Sequence, residues 1–190
     1  MSLVEFERSE IERLLGLLDD RLQKRGVPGS VYVVGGAAIA VTVHDARRTI
    51  DIDVLVSDRV VLEEAQMLAD SERIPRSWLN ENARPWVPPR PPSATVPPTR
   101  PGLTIHWAPA EHLLAMKLVA MRPQDVPDIV ALAYQVGLGT DAAAYADLLE
   151  RVYEGEEVLE QLLDVPEGGA RTEALHRGSV AARLVGQDQD

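Results

Sequence analysis

The sequence predicts a mixed α/β fold of the α+β kind, in which a small sheet with flanking helices is followed by a helical C-terminal part. Three observations carry this. Two β-branched runs, residues 31–34 and 50–56, flank a glycine pair and a stretch of small residues that reads as a helix. A third strand-like run, "LTIHW", lies at 103–107. From Pro109 onward the apolar residues recur at helical spacing. With 190 residues, 45% of them apolar, the chain can fill one core but not those of two large domains. The expected organisation is a core over 1–108 that includes an N-terminal helix and a proline-rich loop at 84–101. A helical part at 109–165 and a flexible tail at 166–190 complete it.

The elements follow in order. Between Phe6 and Lys24, Ile11, Leu14, Leu15, Leu18 and Leu22 recur on one helical face, and Gly26 with Pro28 ends the pattern. Val31 to Val34 reads as a buried strand, followed by Gly35 and Gly36 and a helix from Ala37 to His44. Ile50 to Val56 reads as a second strand, and Ser57 is placed to cap a helix from Asp58 to Ala69. Eight of the fourteen prolines lie between Arg84 and Pro101, so this segment cannot pair in a sheet and is expected to be an extended loop. Leu103 to Trp107 supplies the third strand. Pro109 opens the apolar helix "AEHLLAMKLVAM", and a second helix from Gln124 to Val136 stops at Gly137. Two more are expected at 141–153 and 156–164. After Pro166 the chain is Gly-rich and then polar, with room for one weak helix in "RTEALHRGSVAARLV".

Composition excludes several classes. No apolar run approaches the ~20 residues of a membrane helix, and the charged N-terminus lacks a signal-peptide pattern, so a cytoplasmic protein with no membrane partner is expected. Without cysteine there is no disulfide framework, thiolate nucleophile or Cys-based metal site. A net charge of −11 argues against a general nucleic-acid coat protein. The acid is uneven, however. Nine carboxylates and one arginine occupy 141–167, whereas Asn82 to Ala110 holds Arg84, Arg90 and Arg100 and no carboxylate. A polyanion would meet the middle of the chain.

The chemistry concentrates in two places. Residues i and i+2 of a strand share a face, so Asp51 and Asp53 are expected to project side by side from "TIDIDVLV". Two adjacent carboxylates repel one another unless a cation sits between them. Mg²⁺ suits such a pair, because it takes one or two carboxylates and completes its shell with phosphate oxygens and water. The Gly35–Gly36 turn allows close backbone approach and leads into a helix N-terminus that favours an anionic phosphate. In the second place, Lys117 stands in the middle of an apolar helix. It either meets an anion there, a phosphate or one of the aspartates, or it snorkels or makes a structural ion pair. Asp125 and Asp128 share a helix face; Asp125 reads equally as a first-turn residue favoured by the helix dipole, and Asp128 is the stronger functional candidate. Trp78, Trp86 and Trp107 read as packing residues, with stacking on a base as the alternative.

The run from strand to glycine pair to helix to D-x-D strand resembles the opening of the nucleotidyltransferase fold typified by DNA polymerase β. "RRTIDID" is similar to the R-x-T-x-D-x-D form of the AbiEii/MenT-like bacterial nucleotidyltransferase toxins, with Arg47, Thr49, Asp51 and Asp53 in the matching places. "WLNENA", Trp78 to Ala83, resembles a segment of related bacterial proteins. "LLAMKLVAMRPQDVPDI" resembles their later signature, a helical lysine followed by R-x-K-D-x-x-D; Lys117, Arg122, Asp125 and Asp128 match it, and Gln124 replaces the lysine. The resemblance covers roughly residues 30–135.

What the resemblance implies is a small mixed sheet and a metal-dependent transfer of a nucleoside monophosphate from an NTP to an acceptor hydroxyl. It implies Asp51 and Asp53 as ligands of Mg²⁺, with Mn²⁺ as the alternative, and Gly35, Gly36, Arg47, Thr49 and Lys117 as the nucleotide-binding set. Asp51, Asp53, Lys117 and Asp128 form the implied catalytic set. The implied acceptor is the 3′ end of tRNA, and the implied partner is an antitoxin that holds the toxin in check. The departure is that polymerase-type sites carry a third carboxylate on a later strand, where this chain reads "LTIHWAP". Either His106, Asp128 or a water takes that role, or the enzyme is impaired. His106 reads equally as a partly buried strand-end histidine. The alternatives are transfer to a protein or small molecule, and a degenerate nucleotide-binding or antitoxin module.

Overall fold

The computed structural model describes residues 4–188. The chain forms two compact units. The first comprises the chain up to Pro85 together with Arg90–Ala108, and the second comprises Trp86–Pro89 together with everything from Pro109 on.

In the first unit the order is α1 (Arg8–Arg25), β1 (Pro28–Val33), α2 (Gly35–Thr42), β2 (Ile52–Val56), α3 (Arg59–Glu72), β3 (Leu79–Asn80) and β4 (Gly102–Trp107). The strands form one mixed sheet in the order β3-β2-β1-β4. β1 runs antiparallel to β2 and parallel to β4, and β2 runs parallel to β3. Register then sorts the side chains. Val31 pairs with Val56 and Ile105, and Val33 pairs with Val54 and Trp107. Registered partners share a face, so these residues make one apolar face together with Ile52. The buried leucines of α1 and Val61, Ala65 and Leu68 of α3 cover it. A β-carbon on Gly29 would stand 2.6 Å from the Val61 side chain, so only glycine lets α3 lie this close to β1. By alternation the opposite face carries Ser30, Tyr32, Asp53, Leu55, Asn80, Thr104 and His106.

The second unit contains α4 (Ala110–Ala120), α5 (Val126–Val136), α6 (Ala142–Tyr153), α7 (Glu156–Leu163) and α8 (Ala170–Asp188). α4 and α5 form a helical pair, and α6 packs along α8. The Tyr153 hydroxyl donates to the carbonyl of Trp86 at 2.9 Å, which ties the short Trp86–Pro89 piece of the proline-rich loop to this unit. Among the described residues, no helix is long and apolar enough to cross a membrane.

Several expectations are corrected. β2 begins at Ile52 rather than Ile50, so Asp51 precedes the strand. α3 is capped by Asp58, whose Oδ1 accepts the Val60 N–H at 2.8 Å, and not by Ser57. Ser57 is engaged elsewhere: its Oγ accepts the Ser30 N–H at 2.9 Å and its own N–H donates back to the Ser30 carbonyl at 3.0 Å. Two good capping residues stand side by side in sequence, and the bond to β1 decides between them. β3 was not foreseen, since two residues carry no periodicity; it is anchored by fully buried Trp78, whose Nε1 donates to the Ala65 carbonyl at 2.9 Å. The proline-rich loop contains 3₁₀ turns at Arg84–Trp86 and Pro92–Thr95. The weak helix expected in "RTEALHRGSVAARLV" is α8, 19 residues long, and it is packed rather than loose, burying Ala170, Ala174, Gly178, Ala181, Ala182 and Val185. Small residues at this spacing give little hydrophobic signal yet allow close helix contact. A β-carbon on Gly178 would lie 2.3 Å from the Ala142 carbonyl oxygen at the start of α6.

Candidate active site

β1 hands over to α2 through a left-handed residue. Gly35 has φ +65°, a conformation that an L side chain adopts only under strain, and a β-carbon there would stand 3.0 Å from Asp53 Oδ2. The Val34 N–H donates to the Asp53 carbonyl at 2.9 Å and fixes the turn against β2. The next residue is as tightly placed: a β-carbon on Gly36 would meet Thr49 Oγ1 at 2.9 Å and Arg47 Nη2 at 3.5 Å. The N-cap of α2 is Val34, an apolar residue whose side chain makes no capping hydrogen bond. The two glycines therefore touch three members of the R-x-T-x-D-x-D motif.

The motif is held rigidly. Thr49 exchanges both backbone hydrogen bonds with Phe6, at 2.6 and 3.1 Å, and its hydroxyl donates to the Asp51 carbonyl at 3.0 Å. The Arg47 guanidinium donates to the Arg48 carbonyl. Asp51 Oδ2 accepts from Asn80 Nδ2 at 3.1 Å, and Asn80 is the register partner of Asp53 across β2 and β3. The amide of Asn80 thus holds partly exposed Asp51 while its own strand position borders partly exposed Asp53. Among the described residues, no group of three or more His, Asp and Glu side chains is gathered to hold a metal ion. A cation at this pair would take two carboxylates and complete its shell with phosphate oxygens and water, and the hard oxygen donors here fit Mg²⁺ or Mn²⁺ in that mode.

β4 places His106 beside Tyr32 on the same sheet face. Tyr32 is fully buried, and burial pushes its hydroxyl up to about 12 while the positive charge of Arg90 works in the other direction. His106 Nε2 is buried without a hydrogen-bond partner among the described residues. The strand that borders β2 on its far side is β3, so the neighbour of Asp53 on that side is Asn80. In the loop, Arg84 is paired with Glu81, whose Oε1 also accepts the Val56 N–H at 3.1 Å.

In the helical unit, Lys117 Nζ lies 2.5 Å from Asp125 Oδ1 and 2.9 Å from Asp128 Oδ2, with the three side chains only 13, 5 and 4% exposed. Of the alternatives open for the lysine, pairing with aspartate is what the fold shows, with both Asp125 and Asp128. The predicted set therefore falls into two groups. Gly35, Gly36, Arg47, Thr49, Asp51 and Asp53 come together in the sheet unit, and Lys117 joins Asp125 and Asp128 in the helical unit.

The family profile described as "Nucleotidyltransferase of unknown function (DUF6036)" matches residues 10–161, most of the chain. The chain belongs to this nucleotidyltransferase family. No curated protein and no solved structure is significantly similar to it. The match runs from α1 through most of α7 and so includes the glycine pair, the aspartate pair and the lysine–aspartate triad of this nucleotidyltransferase. Sequence reasoning did not single out Asn80. Its signal was the "WLNENA" segment, in which one polar side chain follows a buried Trp-Leu pair, but only the β2–β3 register reveals what it faces.

Proposed function

We propose that this nucleotidyltransferase moves a nucleoside monophosphate from an NTP to the 3′-terminal hydroxyl of tRNA, with Mg²⁺ at Asp51 and Asp53, and that it acts as the toxin of a toxin–antitoxin pair. The observation that carries the reading is the fit of Gly35 against Asp53 and of Gly36 against Thr49 and Arg47, which brings the start of α2 up to the R-x-T-x-D-x-D motif. In the reaction the acceptor oxygen bonds to the α-phosphorus and the α–β bridging bond breaks. Pyrophosphate leaves with the bonding electrons, and the hydroxyl proton passes to water. The bound cation would neutralise phosphate charge as it develops. The α2 amides and the Arg47 guanidinium hold the phosphates and oppose their charge. The carboxylate-free segment from Asn82 to Ala110 supports an RNA acceptor, because Arg90 and Arg100, beyond the Arg84 paired with Glu81, offer the acceptor backbone positive charge that the chain as a whole lacks.

The test is incubation of the purified protein with each of the four α-³²P-labelled NTPs, MgCl₂ and total cell extract, beside an Asp53→Ala control. Label in RNA of tRNA size with the unmodified protein alone supports the reading. Label in protein or in a small molecule moves the acceptor. No label from any NTP favours the degenerate alternative. Growth arrest on expression of the unmodified protein, absent with Asp53→Ala, is the expected signature of a toxin.

A further inference from the structure

The geometry points to Asn80 as the positioning residue of the aspartate pair, the side chain that aims Asp51 at the cation from the β3 position bordering Asp53. This rests on the metal-site reading of Asp51 and Asp53 given above. Its first support is register: Asn80 is the partner of Asp53 in the parallel β2–β3 pair, so the two side chains leave the sheet on the same face, side by side. The second is the hydrogen bond from Asn80 Nδ2 to Asp51 Oδ2 at 3.1 Å. The backbone settles which end of the amide faces the aspartate. Asn80 Oδ1 accepts the Asn82 N–H at 2.8 Å, and Nδ2 also donates to the Ser77 carbonyl at 3.2 Å. An N–H can only donate and a carbonyl can only accept, so the amide cannot flip and its NH₂ must point at Asp51.

A locked donor of this kind does two things. With no cation bound it offsets part of the repulsion between the two carboxylates, since a hydrogen bond from the amide stabilises the charge on one Asp51 oxygen. With a cation bound it leaves the other Asp51 oxygen free to coordinate in a fixed direction, as outer-shell partners do for metal-ligating carboxylates. An aspartate at the same position would reverse the first effect, because it donates nothing and adds a third negative charge.

The experiment titrates Mn²⁺ alone into the purified full chain, by electron paramagnetic resonance of free Mn²⁺, and records melting temperatures in EDTA and in MnCl₂. The unmodified protein, Asp51→Asn/Asp53→Asn, Asn80→Ala and Asn80→Asp are compared. Saturable binding by the unmodified protein that the double variant loses establishes the site; absence of such binding overturns the metal-site reading and the inference with it. Given the site, Asn80→Ala is expected to raise the Mn²⁺ dissociation constant about 10- to 100-fold, the range typical of lost outer-shell partners. Asn80→Asp is expected to melt lower than the unmodified protein in EDTA and to gain more from Mn²⁺. Unchanged Mn²⁺ affinity in Asn80→Ala overturns the inference and leaves the metal site standing. An Asn80→Asp variant whose melting loss in EDTA is not recovered by Mn²⁺ identifies Asn80 as a strand anchor only, and also overturns it.

Discussion

Lys117→Met tests the internal architecture of the helical unit. Methionine nearly matches the length and volume of the lysine stem, so α4 and its apolar neighbours are undisturbed, and what disappears is the ammonium shared by Asp125 and Asp128. All three side chains are at least 87% buried, and the two lysine contacts are 2.5 and 2.9 Å long. Removing one partner from a buried ion pair costs about 3–5 kcal/mol, because it strands charge in a poorly solvated place. Here it strands two carboxylates that face the same point, which puts the expected loss at the upper end. With a urea slope of about 2 kcal/mol/M, a loss of about 4 kcal/mol moves the unfolding midpoint down by about 2 M. Two controls sharpen the assay, which is urea unfolding followed by far-UV circular dichroism. Arg8→Ala breaks the exposed Arg8–Glu12 pair and should cost under about 1 kcal/mol. The triple change Lys117→Met/Asp125→Asn/Asp128→Asn removes all three charges at similar volume and should recover at least half of the loss. A single variant that unfolds at the unmodified midpoint, or a triple variant no better than the single one, would refute the reasoning.

Three further outcomes are expected. Gly36→Ala pushes a methyl group against Thr49 Oγ1, whose hydroxyl is bonded to the Asp51 carbonyl, so stability should fall by about 1–3 kcal/mol and nucleotide transfer should fall with it, measured by melting and by label incorporation. Gly178→Ala must part α8 from α6, because the obstacle is the Ala142 backbone; Gly186→Ala on the same helix meets only an ordinary contact with Thr140 at 3.5 Å and should gain up to about 1 kcal/mol from helix propensity. Comparable urea midpoints for these two variants would contradict the packing of α8. Burial lowers the pKa of His112 below its ordinary value of 6.5, against the opposing pull of Glu111 and Glu154. The unfolded chain therefore binds this proton more readily than the folded one. The His112 contribution is intact above about pH 6.5 and is lost as pH falls below it, so His112→Gln should flatten the stability profile in that window.

Much of the molecule was legible in the sequence, because the patterns that encode it are local. The helical spacing of Ile11 to Leu22 makes α1 and its buried face, and left-handed Gly26 and Gly137 stop their helices where expected. The Gly35–Gly36 turn between two β-branched runs is where Arg47, Thr49 and Asp53 come close in the fold. The D-x-D spacing put both aspartates on one strand face, but Asp51 lies just before β2 and is held by Asn80 instead. Tertiary structure decided whatever depends on which surfaces meet. Ser57 lost the helix cap to Asp58 because β1 claimed its hydroxyl. α8 is a packed helix because Gly178 allows a backbone approach that hydrophobicity does not record. Lys117 found two aspartates because α4 and the start of α5 come together as a pair. Asn80 acquired a place in the site only through the β2–β3 register, a pairing two residues long between segments 27 positions apart in the chain, as between Ile52 and Leu79. A periodic signal needs several residues to rise above chance, whereas a single hydrogen bond across a sheet needs only one, and that is why the second kind of information stays hidden until the chain is folded.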